Sequence, residues 1–468
     1  MKQVIFFVLV AIAFVSCGRS SSRDGGELTG VSAGAWGEPS PHGMVLIKRG
    51  SFKMGPAEND SLWGVTQNQK GVSIDAFWMD DTEITNAEYR QFVYWVRDSI
   101  IRERLFEGGD DLYKITEDRN GDPLEPPVLD WRRAIPTEKK ANEDELLAIN
   151  SVTWKNPITK EVKIDNKQMN YRYEIFDHTG YALRRNRLDP EDRNRNTDIP
   201  VNPNEVIMIS KDTAYYDDNG RIVRETITRQ LSSIYDFLHT YIVNIYPDET
   251  SWINDFNNAY NEPYMRLYFN HPGYDSYPVV GVSFDQAQAF CVWRTKYLER
   301  SLPNGRSIEP YRLPTDGEFE YASRSGNTDN KFPWSSDTPI GDKDCFLGNF
   351  KPGDGNYTED GYMIPARVGS YAPNEFGLYD MAGNVAEWTS TTYIESVQEI
   401  TSDMNPEYTY RAAIDDPYSM KKKVVRGGSW KDPAHYIRSD IRSFEYQNEQ
   451  RSYIGFRCVR TQVGLGKR

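Results

Sequence analysis

The chain has 468 residues, a length that allows about two or three domains and one large hydrophobic core. Lys and Arg total 55 against 69 Asp and Glu, so the formal net charge at pH 7 is −14. This acidic balance argues against a general nucleic-acid-binding protein, whose binding face is usually basic. Aromatic residues make up 13% of the chain, including 30 tyrosines, which suits a loop-rich fold held by ring packing.

Residues 1–16 are predicted to be a signal peptide. Lys2 precedes an apolar run, Val4–Val15, that is too short to span a bilayer. The pattern Phe-Val-Ser-Cys, which ends at Cys17, resembles a bacterial lipobox, in which the cysteine becomes the lipid-bearing first residue. The alternative is an ordinary signal peptide with an incidental cysteine. Residues 17–40 are rich in Ser and Gly without an apolar period, so we expect a lipidated flexible tether there.

Three capping boxes predict the beginnings of helices. Thr85–Glu88 precedes apolar residues at helical spacing from Phe92 onward. Ser283–Gln286 predicts a second helix, and Thr315–Glu318 predicts a third, shorter one. A strand-like run that begins at Gly43 marks the start of the folded region.

Residues 106–276 are interpreted as an insert, because they are far longer than a connection within a compact domain needs. Asp218-Asn219-Gly220 lies between two strand-like runs and predicts the turn of a β-hairpin. The apolar positions from Leu231 to Ile245 fit one face of a helix, so we expect a helix there. An ordered insert in an otherwise complete fold is where we place partner contacts; the alternative is a decorated loop.

Three segments of the C-terminal part carry glycine-rich and aromatic motifs: Gly377–Trp388, Val424–Trp430 and Ile454–Arg460. Together they resemble the formylglycine-generating-enzyme (sulfatase-modifying factor) family. That resemblance implies an α+β, C-type-lectin-like fold, rich in loops and with little regular structure. Residues 41–105 and 277–468 would form this domain, with the insert between them.

The resemblance also bears on catalysis. In the family's enzymes, two cysteines five residues apart follow the Gly-Gly-Ser-aromatic segment, bind copper and carry out the chemistry. The corresponding positions here are Asp432 and Ile437, and neither side chain can replace a copper-binding thiolate. We therefore predict no catalytic residue and no copper. A branch of the fold that uses iron held by three histidines has no support, because no two of the five histidines stand four residues apart.

Calcium is the cofactor that the resemblance implies, at two sites that combine side-chain oxygens with backbone carbonyls. Hard cations prefer such mixed oxygen shells. The matching positions are Asn349, Phe350, Asp360 and Tyr362 for the first site, and Asp380, Gly383, Val385 and Glu387 for the second. The family often has Asn where this chain has Asp380, a change that keeps an oxygen ligand. Four arginines are expected to brace the core through hydrogen bonds: Arg426, Arg438, Arg442 and Arg457.

Four cysteines remain after removal of the signal peptide, and lipidation would use Cys17. In an oxidising compartment the other three leave one disulfide and one unpaired thiol. The family resemblance implies the pair Cys291 and Cys458, so Cys345 would be the odd cysteine.

The lipobox, the lost cysteine pair and the large insert together resemble the gliding-motility lipoproteins of Bacteroidota, of the GldK/PorK type; the related GldJ type shares the fold and anchor. The resemblance extends over Asp81–Arg90 and Tyr274–Ser283. It implies a non-catalytic lipoprotein at the periplasmic face of the outer membrane. Such proteins form a homo-oligomeric ring with a GldN/PorN-like partner in the type IX secretion system and gliding-motility machinery.

Two other functions stay open from the sequence. One is a copper-dependent formylglycine-generating oxidase that acts on exported proteins, which Asp432 and Ile437 disfavour. The other is a lipoprotein that binds a glycan or a peptide in a groove that corresponds to the substrate groove of the family's enzymes.

Overall fold

The computed structural model describes residues 40–56, 68–109, 111–117, 121–158, 160–195, 202, 204–302, 308–341, 344–413 and 415–463. The predicted signal peptide, the lipidation residue Cys17 and the tether up to residue 39 lie outside these ranges. In the described part of the chain, no helix is both long enough and apolar enough to cross a membrane. Ser40–Gln462 form one compact unit.

The three predicted capping boxes are confirmed at the beginnings of helices. The Thr85 hydroxyl accepts from the Glu88 N–H at 3.3 Å, and the Glu88 carboxylate accepts from the Thr85 N–H at 2.8 Å. Ser283 with Gln286 and Thr315 with Glu318 form the same reciprocal pair. The helices of the described residues are α1 Asn86–Glu107, α2 Glu143–Asn150, α3 His178–Ala182, α4 Pro190–Arg193, α5 Ser251–Asn254, α6 Glu262–Leu267, α7 Phe284–Ser301, α8 Asp316–Ser323 and α9 Val397–Ile400.

The strands are short. They are β1 Met44–Ile47, β2 Gly50–Met54, β3 Lys70–Ile74, β4 Phe77–Asp80, β5 Lys114–Glu117, β6 Pro123–Leu129, β7 Thr153–Lys155, β8 Val162–Ile164, β9 Asn170–Phe176, β10 Met208–Tyr216, β11 Ile222–Gln230, β12 Leu238–Asn244, β13 Ala386–Thr392, β14 Lys422–Arg426, β15 Ser443–Tyr446, β16 Ile454–Gly455 and β17 Val459–Thr461.

Two small sheets organise the body, which comprises residues 41–105 and 277–468. β4 pairs antiparallel with both β1 and β17, so residues near the two ends of the folded chain share one sheet. The other sheet has the order β15–β14–β13–β16, with β16 parallel to β13. The insert forms the antiparallel pairs β5–β6, β7–β8, β9–β12 and β10–β11.

The predicted hairpin is confirmed, with Tyr216 opposite Ile222 in the β10–β11 pair. The Asp217 carboxylate accepts from the Asn219 and Arg221 N–H groups and fixes the turn. The predicted helix over Leu231–Ile245 is wrong: a short 3-10 turn is followed by strand β12. The apolar positions of this segment fit a helical period, but β12 pairs with β9 instead, and the sequence pattern alone cannot decide between the two.

The insert and the body share one hydrophobic core. Tyr89 of α1 stacks on Phe290 of α7 at 5.6 Å between ring centroids, and Tyr171 of the insert packs edge-on against Phe92 at 5.2 Å. The Tyr89 hydroxyl also donates to the Ile245 carbonyl at 2.8 Å. The described part of the insert is therefore folded against α1 and α7 rather than attached by a linker.

Candidate functional site

The Val424–Trp430 segment is fastened by a fully buried arginine. Arg426 lies on β14 and forms ion pairs with Asp316 and Glu320 of α8. It also donates to the Ser439 and Ile441 carbonyls, each at 3.0 Å. A guanidinium satisfied on every side in this way joins a strand, a helix and a loop, which confirms the bracing role predicted for Arg426.

The backbone at Gly428, two residues after Arg426, leaves no room for a side chain. Gly428 has φ of 65°, and a Cβ there would meet the Tyr436 carbonyl at 2.7 Å and the Ile437 side chain at 2.9 Å. The chain therefore folds back tightly on itself between Gly428 and Ile437.

The two positions that correspond to the family's cysteines have ordinary packing roles in this chain. The Asp432 carboxylate accepts from the Ser429 N–H at 3.0 Å and from its hydroxyl at 2.6 Å, and it pairs with Lys431 at 2.9 Å. Ile437 is completely buried in a small apolar cluster with Phe332 and Phe350. Asp432 stabilises a turn and Ile437 fills a core, so neither position offers a soft metal ligand.

The structure brings together the residues of the first predicted calcium site. The half-buried carboxylate of Asp360 accepts from the Phe350 N–H at 2.8 Å and from the Tyr362 N–H at 3.1 Å. Asn349 donates to the Ile364 carbonyl at 3.1 Å, while its buried Oδ1 has no hydrogen-bond partner. Burial raises the pKa of the Asp360 carboxyl. A buried oxygen that lacks a hydrogen-bond donor is suited to ligate a cation.

The second predicted site contains one more carboxyl group than the sequence indicated, that of Glu83. Asp380 and Glu387 lie with Glu83 in a buried cluster, where burial raises the pKa of all three carboxyls. Asp380 and Glu387 raise the pKa of Glu83 further by repulsion, so that it stands well above its usual value. Arg457 is the guanidinium that opposes them, and it donates to both Glu387 oxygens at 2.7 to 3.0 Å.

Glu83 is the site residue that the sequence reasoning missed. Asn384 donates to its Oε1 at 3.0 Å, and a hydrogen bond with Glu83 partly offsets the effect of burial on the pKa of Asp380. Glu83 stands two residues before the N-cap Thr85 among other polar residues, so no local pattern marks it as buried. Because burial and repulsion raise the pKa of these carboxyls, a proton or a bound cation is needed to offset their negative charge beside a single guanidinium.

Calcium remains a prediction for both sites. In the described ranges, no group of three or more His, Cys, Asp and Glu side chains is arranged to hold a metal ion. The predicted shells depend instead on carbonyl and amide oxygens, including those of Gly383 and Val385. At the second site, Glu387 is already paired with Arg457, so a cation there would rely on Asp380 and Glu83.

The predicted disulfide partners are close together. Cys291 and Cys458 are both buried, with their sulfur atoms 3.5 Å apart and no covalent bond between them. A disulfide bond would require about 2.05 Å. Burial, together with the neighbouring Cys291 sulfur, raises the pKa of the Cys458 thiol. The pairing stays a prediction, and Cys345 is exposed.

Comparison with known proteins identifies a matching family and several similar proteins. The family described as "Sulfatase-modifying factor enzyme 1-like domain" matches residues 35–462. The inactive C-alpha-formylglycine-generating enzyme 2 of Bos taurus is 32% identical over 189 residues, which are 39% of this chain and 50% of that protein. The formylglycine-generating enzyme of Mus musculus is 34% identical, over 39% of this chain and 44% of the relative.

The formylglycine-generating enzyme of Streptomyces coelicolor is 32% identical over 40% of this chain and 54% of its own length. The chain thus spans about half the length of the curated relatives it matches. Among solved structures, PvdO from Pseudomonas aeruginosa aligns over 89% of this chain and 94% of its own, with a TM-score of 0.43 and 15% identity.

Proposed function

The chain belongs to the sulfatase-modifying factor enzyme 1-like domain family, and we propose that within it the protein is a non-catalytic scaffold. The observation that carries this proposal is that Asp432 and Ile437, which stand where the family's enzymes have their two copper-binding cysteines, have structural roles here. Asp432 stabilises the turn at Ser429, and Ile437 is completely buried. Relatives that match this chain include proteins named as formylglycine-generating enzymes and proteins named as inactive C-alpha-formylglycine-generating enzyme 2.

The specific role we propose is a lipoprotein of the GldK/PorK type at the periplasmic face of the outer membrane. It would build the ring of the type IX secretion system and gliding-motility machinery together with a GldN/PorN-like partner. The lipobox at Cys17 and the resemblance over Asp81–Arg90 support this role. Lipid attachment would hold the protein on the membrane without a spanning helix.

The insert supplies surface for such a partner. Leu147, Ile158 and Tyr260 are 76%, 87% and 83% exposed, and all three belong to residues 106–276. Large apolar side chains at these exposures are candidate anchors of a protein interface. Calcium at the two predicted sites would hold the loops of the body rigid.

The ring role can be tested by purifying the native protein from outer membranes and identifying what accompanies it. Wild-type protein should bring down the GldN/PorN-like partner in ring-shaped particles visible by electron microscopy. Leu147→Glu, Ile158→Glu and Tyr260→Glu, combined, should lose the partner because a charge at an interface core is costly. The matched control is Ile400→Glu, at a 62% exposed position of the body. Wild-type protein that purifies alone would contradict the ring role.

A further inference from the structure

A cleft lies at the junction between the insert and the body. Its larger part has a volume of about 490 Å³ and is lined by strands β10, β11 and β12 of the insert and by residues 411–413 and Gln447 of the body. Arg224 and Asn448 line both this part and a second hollow of about 390 Å³, so the two adjoin. Both volumes fall in the range of ligand sites.

The backbone of β12 at the floor of the cleft is already bonded, so the cleft offers no strand edge to a peptide. Thr240 and Ile242 are 7% and 1% exposed, and the β10–β11 hairpin packs against β12. Arg224 donates to the Ile242 carbonyl at 3.0 Å, and Gln286 donates to the Asn244 carbonyl at 3.0 Å. A ligand must therefore be recognised by side chains rather than by strand pairing.

The charged side chains of the larger part do not select an ionic ligand. Arg411 is held by Asp285 at 2.9 Å and lies 3.5 Å from the centre of the Tyr241 ring. The Asp212 carboxylate accepts from the hydroxyl groups of Thr226 at 2.8 Å and of Tyr241 at 3.1 Å. Because these charges are already paired, an uncharged ligand fits the cleft better than an ion. Acids and bases are also nearly balanced among the lining residues, which include Asp212, Glu225, Asp285 and Asp415 against Arg224, Arg411 and Lys421.

Gln447 brings an unsatisfied hydrogen-bond acceptor to this cleft. It is only 8% exposed; its amide donates to the Ala412 carbonyl at 2.8 Å, while its Oε1 has no hydrogen-bond partner. A buried acceptor without a donor is costly, and an N–H group of a ligand would satisfy it. Ala412 and Ala413 of the body, with Ile242 and Val243 of the insert, supply apolar surface that a methyl group can cover.

We propose that this cleft binds a glycan that contains N-acetylated amino sugars. An acetamido group combines an N–H donor for Gln447 Oε1 with a methyl group for the apolar surface. The ring hydroxyls of a sugar both donate and accept, as do the Thr226 hydroxyl and the Asn448 amide in the wall. Such a glycan is also uncharged. Neither Asp432 nor Ile437 lines the cleft, and glycan binding there is independent of the ring role.

Chitotetraose, which has four N-acetylglucosamine units, is the probe for a test. Isothermal titration calorimetry with the purified full-length protein should show saturable binding. Cellotetraose has a hydroxyl in place of each acetamido group and should bind about tenfold more weakly or worse, because it lacks the N–H group and the methyl group. Ala413→Trp fills the cleft without removing a hydrogen-bonding side chain and should weaken chitotetraose binding about tenfold or more. Ile400→Trp, at an exposed position of the body, should bind as wild type does.

A second variant tests the role of the buried acceptor. Gln447→Met keeps the length of the side chain but removes Oε1, so it should reduce the preference for chitotetraose over cellotetraose. A general loss of stability would leave that ratio unchanged. The proposal is overturned if wild-type protein does not bind chitotetraose or binds cellotetraose equally well. It is equally overturned if Ala413→Trp binds unchanged, if Gln447→Met keeps the full preference, or if N-acetyl-trialanine amide displaces chitotetraose, which would indicate a peptide site.

Discussion

The body and the insert are stabilised by different kinds of contact. The loop-rich body depends on buried arginines, since Arg426 and Arg457 are both almost completely inaccessible and each joins several segments. The insert depends on paired strands and ring packing, as in the contact of Tyr171 with Phe92. Where few backbone groups bond one another, side chains must satisfy them. Where strands do so, fewer side chains are needed to satisfy the backbone.

The largest expected effect comes from removing the charge of a buried arginine of the body. Arg457→Met leaves Glu387, Glu83 and Asp380 without their guanidinium, and we expect the free energy of unfolding to fall by about 3–5 kcal/mol. Urea denaturation measures this loss. The control is Arg132→Met, because the ion pair of Arg132 with Asp130 is open to solvent on the arginine side and should contribute little. Equal losses in the two variants would contradict the importance of burial.

A smaller effect is expected at the arginine that joins the two regions. Arg411 of the body donates to Tyr173 of the insert at 3.3 Å and to Asp285 of α7 at 2.9 Å. Arg411→Met should lower the free energy of unfolding by about 1.5–3 kcal/mol, the usual size for charged hydrogen bonds. Hydrogen exchange should accelerate in β9 and β12 but not in β13 and β14. Equal acceleration in all four strands would show that the loss of Arg411 destabilises the whole protein rather than the contact between insert and body.

The buried Lys423 on β14 should make the stability of the body depend on pH. Burial, with repulsion from Arg411, lowers the pKa of Lys423 to about 7. Between pH 7 and the higher pKa of the unfolded chain, the unfolded state holds more protons, so stability rises with pH in that window. Lys423→Met removes the charge that is costly at lower pH.

The stability of Lys423→Met relative to wild type should therefore be greater at pH 6 than at pH 10. Denaturation at the two pH values measures the difference. The neighbouring Lys422→Met, at a partly exposed position, is the control. If the relative stability of Lys423→Met does not change between pH 6 and pH 10, the buried-lysine explanation is wrong.

The smallest expected effect concerns calcium in the loops of the body. Chelation with EGTA should lower Tm by a few degrees, because a bound ion stabilises only the folded state. Asn349→Leu removes the unpartnered Oδ1 and should reduce the response to EGTA. Asn356→Leu, in the same loop region but exposed, should keep the full response. A wild-type Tm that is unaffected by EGTA would count against both calcium sites.

Local signals in the sequence were sufficient for part of this fold. The capping box at Thr85 and the turn at Gly220 were predictable because each is set by residues a few positions apart. Strand β12 was not, because its partner β9 lies about sixty residues away and its apolar run fits a helix equally well. Glu83 escaped notice for the same reason, since Asn384, which bonds it, is 301 residues distant.

The most direct test of the non-catalytic assignment is an oxidation assay with the purified protein, copper(I), oxygen and a cysteine-containing sulfatase peptide. The formylglycine-generating enzyme of Streptomyces coelicolor serves as the positive control. With Asp432 and Ile437 in place of thiolates, the protein should consume no oxygen above the level of free copper and should leave the peptide cysteine unchanged. Copper-dependent conversion of that cysteine, over many turnovers, would contradict the scaffold role.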